Sequence, residues 1–212
     1  MVEELILVLV VLTNLKLLAS SRLGAAIRVV AIQGVLLGLL PVLAHLHALT
    51  PRLLVLAAGS MTLKGMVFPW LLFRAIREAD VNREVEPYVG YITSLLFGVV
   101  GLAAAFWMGA RLPVSSTTAS PIVVPVALFS IIAGLFLIVS RKRALNQVLG
   151  FLALENGVFT FGVGALQETS FLVEAGVLLD VFVAVFVMGI TIFHINREFD
   201  TVEMDRLSTL KD

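Results

Sequence analysis

Long apolar segments, separated by short polar or charged breaks, recur along the whole chain. Seven of them approach the length of about 20 residues that an α-helix needs to cross the hydrocarbon core of a bilayer. They lie at 3–20, 24–47, 52–76, 88–110, 121–140, 144–165 and 170–195. The pattern predicts an all-α, polytopic membrane protein with seven transmembrane helices.

The distribution of Lys and Arg predicts the orientation of these helices. With seven spans, only Arg52 and Arg111 fall on one side. The other side receives or lies close to twelve basic residues: Lys16, Arg22, Arg28, Arg74, Arg77, Arg83, Arg141, Lys142, Arg143, Arg197, Arg206 and Lys211. Because basic residues accumulate in cytoplasmic loops, we expect the N-terminus outside, the C-terminus in the cytoplasm, and the protein in the cell (inner) membrane.

A polar stretch at 113–120 is predicted to be an external loop and divides the chain into two parts. The front half, 1–112, contains four of the predicted helices, and 121–195 contains the other three. The remaining residues, 196–212, form a predicted cytoplasmic tail that is either a solvated end or a docking strap. No second soluble domain is predicted.

Composition supports the membrane class and excludes several others. The chain is 59% hydrophobic and 14% charged, and its 15 basic and 15 acidic residues cancel. A lipid bilayer is therefore the predicted surrounding, and net charge gives no sign of a nucleic-acid partner. Cysteine is absent and histidine occurs only 3 times, which excludes thiolate-bound iron–sulfur or zinc centres within this chain. We expect no metal, no cofactor and no catalytic residue, so redox chemistry would belong to a partner subunit.

Three ionisable side chains, Lys64, Glu155 and Asp180, lie in the middle of predicted spans. A charge at the bilayer centre costs about 3 kcal/mol on insertion scales. Glu155 follows Arg143 by 12 residues, which puts it about 18 Å into the membrane, and the other two fall near the same plane. Such groups face a protein interior or water, pair with each other, or carry protons. The sequence predicts a proton relay at Glu155, Asp180 and Lys64.

Helix geometry provides polar neighbours for these groups. Ser60 and Lys64 share a helix face at i, i+4 spacing, and Asn156 adjoins Glu155 as a hydrogen-bond partner. Pro69 frees the carbonyl of the residue four positions earlier and is expected to kink the helix just beyond Lys64. A kink beside a buried amine admits water.

The sixth predicted helix carries a stripe of small residues at a spacing of seven: Gly150, Gly157 and Gly164. Small residues allow close approach between membrane helices. Glu155 lies about 200° around the helix from Gly157, so the carboxylate is expected to point away from the tightly packed face.

Two structural interpretations stay open beside the proton relay. Lys64 could form a static salt bridge with Glu155 or with Asp180 that holds helices together without transport. Each carboxylate could also be a purely structural, hydrogen-bonded group. In either case the buried charges would stabilise helix contacts and move no protons.

Four separate segments resemble one known family. The run 140–157, which contains Glu155-Asn156-Gly157, resembles the Glu-Asn-Gly region of the hydrogenase-4 component E family. The segment 172–188 around Asp180 is similar to that family's last span, and Lys64 to Pro69 resembles its Lys-x-x-x-x-Pro pattern. The tail at 207–211 is also similar, so the resemblance extends over most of the chain.

The resemblance implies a membrane subunit of a group 4 hydrogenase or formate hydrogenlyase complex, not catalytic alone. The back half is similar to the small K subunit of complex I and the C subunit of multisubunit cation/proton antiporters, which carry carboxylates in the middle of consecutive helices. In the complex I relative the first carboxylate directly follows an Ile-Gly-Leu-type triplet. This chain has Leu152 at the position of that carboxylate, and its own carboxylate, Glu155, comes three residues later.

The implied partners are antiporter-like and other membrane subunits of such a complex. Proton translocation within this complex is the favoured function, and the alternative is a structural spacer joining antiporter-like subunits. An independent cation/proton transporter is disfavoured, because the chain shows no inverted repeat and no pair of broken helices.

Overall fold

The computed structural model describes residues 2–44, 50–78, 88–112 and 120–165, together with Gly189. Every regular element in these ranges is a helix. A π-helical turn, Leu63–Val67, joins α3 to α4 so that the two form one continuous rod. The helices are α1 (Val2–Ala19), α2 (Leu23–Ala44), α3 (Pro51–Thr62), α4 (Phe68–Glu78), α5 (Tyr91–Gly109), α6 (Val123–Ser140) and α7 (Ala144–Ala165).

The helices coincide with the first six predicted apolar segments, with ends that differ by a few residues. Three of them are long and apolar enough to cross a membrane, namely Leu23–Leu43 in α2, α5 and α6. The first helix carries Glu3, Glu4 and Lys16, which lowers its apolar character. The predicted seventh span, with Asp180, and the predicted cytoplasmic tail lie outside the described residues.

Four helices form a ring in which each contacts two neighbours. The order around the ring is α1, α2, α7 and α6, and α6 returns to α1. The rod made of α3 and α4 packs against α2, and α5 packs against α1 and α6. The outward face of α5 exposes large apolar side chains such as Ile92, Leu96 and Val100. Such a face suits the hydrocarbon of a bilayer.

The contact between α6 and α7 is the most extensive in the described fold. A connection of only three residues makes the two helices antiparallel. A Cβ atom at Gly157 would lie 2.7 Å from the backbone nitrogen of Ile131, and one at Gly150 would lie 2.9 Å from the carbonyl oxygen of Gly134. Gly150 and Gly157 of the small-residue stripe predicted on this helix therefore pack directly on the backbone of α6, which itself presents Gly134.

Gly134→Ala is expected to destabilise the fold. The new methyl group would lie 2.6 Å from the carbonyl oxygen of Gly150 and would also meet the backbone nitrogen of Leu154. Backbone atoms cannot rotate away, so we expect a loss of about 1–3 kcal/mol, the usual range for overpacking. Thermal unfolding of the purified protein in detergent measures this change.

The matched control is Gly59→Ala, which makes the same substitution at an exposed position of α3 where a Cβ meets nothing within 4 Å. Alanine in a helix interior is better than glycine by about 0.5–1 kcal/mol, so the control should unfold at the same temperature or slightly higher. Equal unfolding temperatures for the two variants would contradict the α6–α7 packing described above.

Pro69 was expected to kink the third predicted helix, and the structure has a π-helical turn that ends at Val67, two residues before it. In this turn the backbone N–H of Phe68 donates to the carbonyl oxygen of Leu63, five residues earlier. The wider turn is compatible with the proline, which has no N–H to donate and whose ring crowds the preceding turn. Lys64 lies inside this turn, and single π turns in α-helices are frequent at functional sites.

Arg141 connects the short α6–α7 link to α1. Its side chain is buried, its Nη2 donates to the carbonyl oxygen of Leu18 at 2.7 Å, and its guanidinium lies 4.7 Å from the centre of the Tyr91 ring. The last carbonyls of a helix have no partner within the helix, so this arginine satisfies the end of α1. The sequence pattern predicted only that Arg141 marks a membrane boundary.

Candidate functional site

A buried ion pair joins the π-helical turn to α7. Lys64 Nζ lies 2.6 Å from Glu155 Oε1, and the two side chains are 5% and 2% exposed. The two residues are 91 positions apart in the sequence. The structure therefore brings together two of the three ionisable groups that the sequence predicted at a common depth.

Two further residues of α7 contact the ammonium group. Lys64 Nζ donates to Asn156 Oδ1 at 3.2 Å and lies 5.2 Å from the centre of the Phe159 ring. Glu155, Asn156 and Phe159 lie within slightly more than one turn of α7, so a single helix face supplies a carboxylate, an amide oxygen and an aromatic ring. These groups all stabilise a positive charge.

Two glycines of α2 make room for Lys64 and its helix. A Cβ at Gly34 would overlap the Cβ of Lys64, and a Cβ at Gly38 would overlap the side chain of Met61. The spacing Gly34-x-x-x-Gly38 allows close approach of two membrane helices. These two glycines were not predicted as part of the site, although the second apolar segment contains the Gly-x-x-x-Gly spacing.

The pair is only partly satisfied by its surroundings. Glu155 Oε2 and Asn156 Nδ2 are buried, and neither has a hydrogen-bond partner in the part of the chain that the structure describes. Burying an ion pair is costly, and attraction offsets that cost only when the remaining polar atoms are also satisfied. Burial of this pair therefore does not by itself stabilise the fold, and one carboxylate oxygen is open to a further polar partner.

A second buried polar cluster lies inside the four-helix ring, and we call it the amide cluster. Its members are Asn14 of α1, Gln33 of α2 and Ser130 of α6, none more than 1% exposed. Gln33 Nε2 donates to Asn14 Oδ1 at 2.8 Å, and Asn14 Nδ2 donates to Ser130 Oγ at 2.8 Å. These residues were not predicted as a site. In the sequence, this cluster is indicated only by one amide residue in each of two apolar segments, Asn14 and Gln33.

Ser60 and Asp180 are the other two residues that the sequence predicted for this site. Ser60 is buried on α3, four residues before Lys64, and its supporting role beside Lys64 stays a prediction. Asp180 lies outside the described residues, so its place in a relay stays a prediction. Among the residues that the structure describes, no group of three or more His, Asp or Glu side chains is arranged to hold a metal ion.

The described residues define an all-helical membrane protein with a buried ion pair between two helical rods. The chain belongs to the same family as the uncharacterized protein Rv0085 of Mycobacterium tuberculosis. The two are 30% identical over 203 residues, which cover 95% of this chain and 92% of that protein.

The chain is also similar to component E of hydrogenase-4 from Escherichia coli K12 and from Shigella flexneri. Each is 29% identical to it over 162 residues, which cover 76% of this chain and 74% of the relative. This distant match supports the resemblance to the hydrogenase-4 component E family. A scan of protein-family models finds no match, and a search of solved structures finds none either.

Proposed function

We propose that this chain is a proton-translocating, cofactor-free membrane subunit of a group 4 energy-converting hydrogenase or formate hydrogenlyase-type complex related to complex I. The observation that carries the proposal is the buried contact of 2.6 Å between Lys64 and Glu155. Buried ionisable groups within membrane segments are rare and mark ion or proton pathways. The similarity to hydrogenase-4 component E supports the kind of complex.

The proposed topology is the one that the charge distribution predicts. Seven helices cross the inner membrane, the N-terminus is outside and the C-terminus is in the cytoplasm. The partners are antiporter-like and other membrane subunits. The chain supplies no redox centre, so the electrons move in other subunits while protons move through this one.

The geometry supports a simple cycle of proton exchange at Glu155. A proton that arrives at Oε2, the oxygen without a partner among the described residues, neutralises the carboxylate and removes its attraction for Lys64. The ammonium group remains held by Asn156 Oδ1 and the Phe159 ring. Loss of the proton to a further acceptor, which we propose to be Asp180, restores the ion pair. Movement of Lys64 would couple this cycle to conformational change elsewhere in the complex.

A structural spacer is the second candidate, and one observation favours it. Lys64 and Glu155 are in direct contact and almost fully buried, as expected for a static pair that holds α7 to the α3–α4 rod. In this case the subunit would join antiporter-like subunits without carrying protons.

The proposal is tested on the native assembly. The chain is tagged at its genomic locus, the complex is purified, the co-eluting subunits are identified, and the complex is reconstituted into liposomes. We expect hydrogenase-type metal-binding subunits and antiporter-like subunits to co-elute, and turnover to change the pH of the liposome interior. An assembly without such partners would overturn the assignment to this class of complex. An assembly that turns over without moving protons would favour the spacer.

A further inference from the structure

The ammonium group of Lys64 fills a site that α7 forms for a positive charge. Its Nζ lies 2.6 Å from Glu155 Oε1, 3.2 Å from Asn156 Oδ1 and 5.2 Å from the centre of the Phe159 ring. These three residues of α7 are all buried. One helix therefore supplies all three groups, and Lys64 reaches them from the π-helical turn of the α3–α4 rod.

The charge and the ligand atoms of this site suit a monovalent cation. It offers one carboxylate, one neutral amide oxygen and one aromatic ring, so a single positive charge neutralises it. Carboxylate and amide oxygens are hard ligands that bind free metal cations as well as ammonium groups, and an aromatic ring attracts cations of either kind. Among the described residues, no group of three or more His, Asp or Glu side chains could hold a more highly charged metal ion.

The stem of Lys64 lies beside α2 in space that a glycine leaves open. A Cβ atom at Gly34 would lie 3.3 Å from both Cγ and Cδ of Lys64. The lysine side chain is 5% exposed, so the stem is enclosed along its length. Substitution by alanine would remove Cγ, Cδ, Cε and Nζ, and these are the heavy atoms of n-propylammonium.

We propose that Glu155, Asn156 and Phe159 form a binding site for a monovalent cation, that Lys64 is its built-in occupant, and that Lys64 thereby keeps Na⁺ away from the Glu155 carboxylate. A second cation beside this carboxylate would be repelled by the ammonium group, with little solvent to screen the two charges. Lys64 would then determine the specificity for protons over Na⁺. This specificity rests on the proposed function, whereas the cation site does not.

The proposed cycle of proton exchange is compatible with the exclusion of Na⁺. A proton forms a covalent bond to Glu155 Oε2 and needs no further ligands. A Na⁺ ion needs several oxygen ligands that replace its hydration shell. In the cycle, the ammonium group loses its attraction for Glu155 only while the carboxyl group is protonated and neutral. The charged carboxylate is therefore always paired with Lys64.

Lys64→Ala tests the cation site by vacating it. The thermal unfolding of the purified full chain in detergent is measured with n-propylammonium chloride, and with n-propanol, which has a similar size but no charge. We expect saturating n-propylammonium to raise the unfolding temperature of the variant by about 5 °C or more, and n-propanol to cause no such rise. An unchanged unfolding temperature with n-propylammonium would overturn the site.

The matched control is Lys64→Ala/Glu155→Gln, which has the same vacated space but no carboxylate. It should gain no stability from n-propylammonium, and an equal gain in both variants would also count against the site. Should Lys64→Ala fail to accumulate, its yield with and without n-propylamine in the growth medium replaces the unfolding temperature. An unchanged yield then overturns the site.

Equilibrium binding of radiolabelled Na⁺ tests the exclusion by Lys64. We expect Lys64→Ala to bind Na⁺, and wild type and the double variant to bind none. Equal binding by wild type and Lys64→Ala would overturn the exclusion, as would proton translocation by the wild-type complex that changes when choline replaces Na⁺. The binding measurements need no turnover. Normal translocation by Glu155→Gln would therefore refute the proposed function and leave the cation site to be judged from binding alone.

Discussion

Glu155→Gln is expected to abolish proton translocation coupled to turnover while the complex still assembles. Glutamine has the same shape as glutamate, and its carbonyl oxygen still accepts the hydrogen bond that Lys64 Nζ makes at 2.6 Å. The substitution removes the one property that the proposed cycle requires, which is the ability to bind and release a proton. A positioned proton-transfer group contributes about 10²-fold or more to the rate of its step. Acidification or alkalinisation of liposomes during turnover measures the loss.

Two variants separate this effect from damage to the fold. Glu155→Asp keeps a carboxyl group and should retain part of the activity. Thr160→Val removes another buried polar group of α7, whose hydroxyl donates to the backbone oxygen of Asn156 at 2.7 Å, and should translocate protons at the normal rate. Normal translocation by Glu155→Gln would refute the role assigned to this carboxylate.

Lys64→Met is expected to destabilise the subunit by about 3–5 kcal/mol, because removal of one partner leaves the other as an uncompensated buried charge. The Glu155 side chain is only 2% exposed, so it cannot recover the lost interaction from solvent. The packing of the stem against Gly34 is largely kept by methionine. Thermal unfolding in detergent and the yield of assembled complex measure the loss.

The double variant Lys64→Met/Glu155→Met distinguishes the two candidate functions. The double variant removes both members of this ion pair, and apolar replacement of a buried pair is often neutral or stabilising. We therefore expect the double variant to recover most of the stability lost in Lys64→Met but none of the proton translocation. Recovery of both properties would favour the structural spacer, and failure to recover stability would contradict the pairing itself.

Much of the fold follows from the one-dimensional pattern of apolar and charged residues. Charged breaks such as Arg141 to Arg143 set the ends of α6 and α7 to within a few residues. Because a helix rises by a fixed length per residue, the same breaks predict that Lys64 and Glu155 lie at one depth. The two side chains are in contact in the structure, as expected if Lys64 forms a salt bridge with Glu155. The count of seven spans and the orientation stay predictions.

Other features depend on the rotation and spacing of helices, which periodicity does not determine. Lys64 lies inside the π-helical turn at Leu63–Val67, and the sequence periodicity that predicts a regular helix does not predict such a turn. The amide cluster has no charge and is carried by Asn14 and Gln33, single residues in otherwise apolar segments. A single amide in an apolar segment does not predict a polar cluster, because the cluster forms only when three helices pack together. Arg141 is buried for a similar reason, because the end of α1 happens to lie beside it.

The most direct test of the central claim is the protonation state of Glu155 during turnover. Infrared difference spectroscopy of the reconstituted complex, with isotopically labelled glutamate, reports the carbonyl stretch of a protonated carboxyl group. The account predicts a glutamate band that appears and disappears with turnover and is absent from Glu155→Gln. A wild-type complex that pumps protons while no glutamate band attributable to Glu155 changes would contradict it.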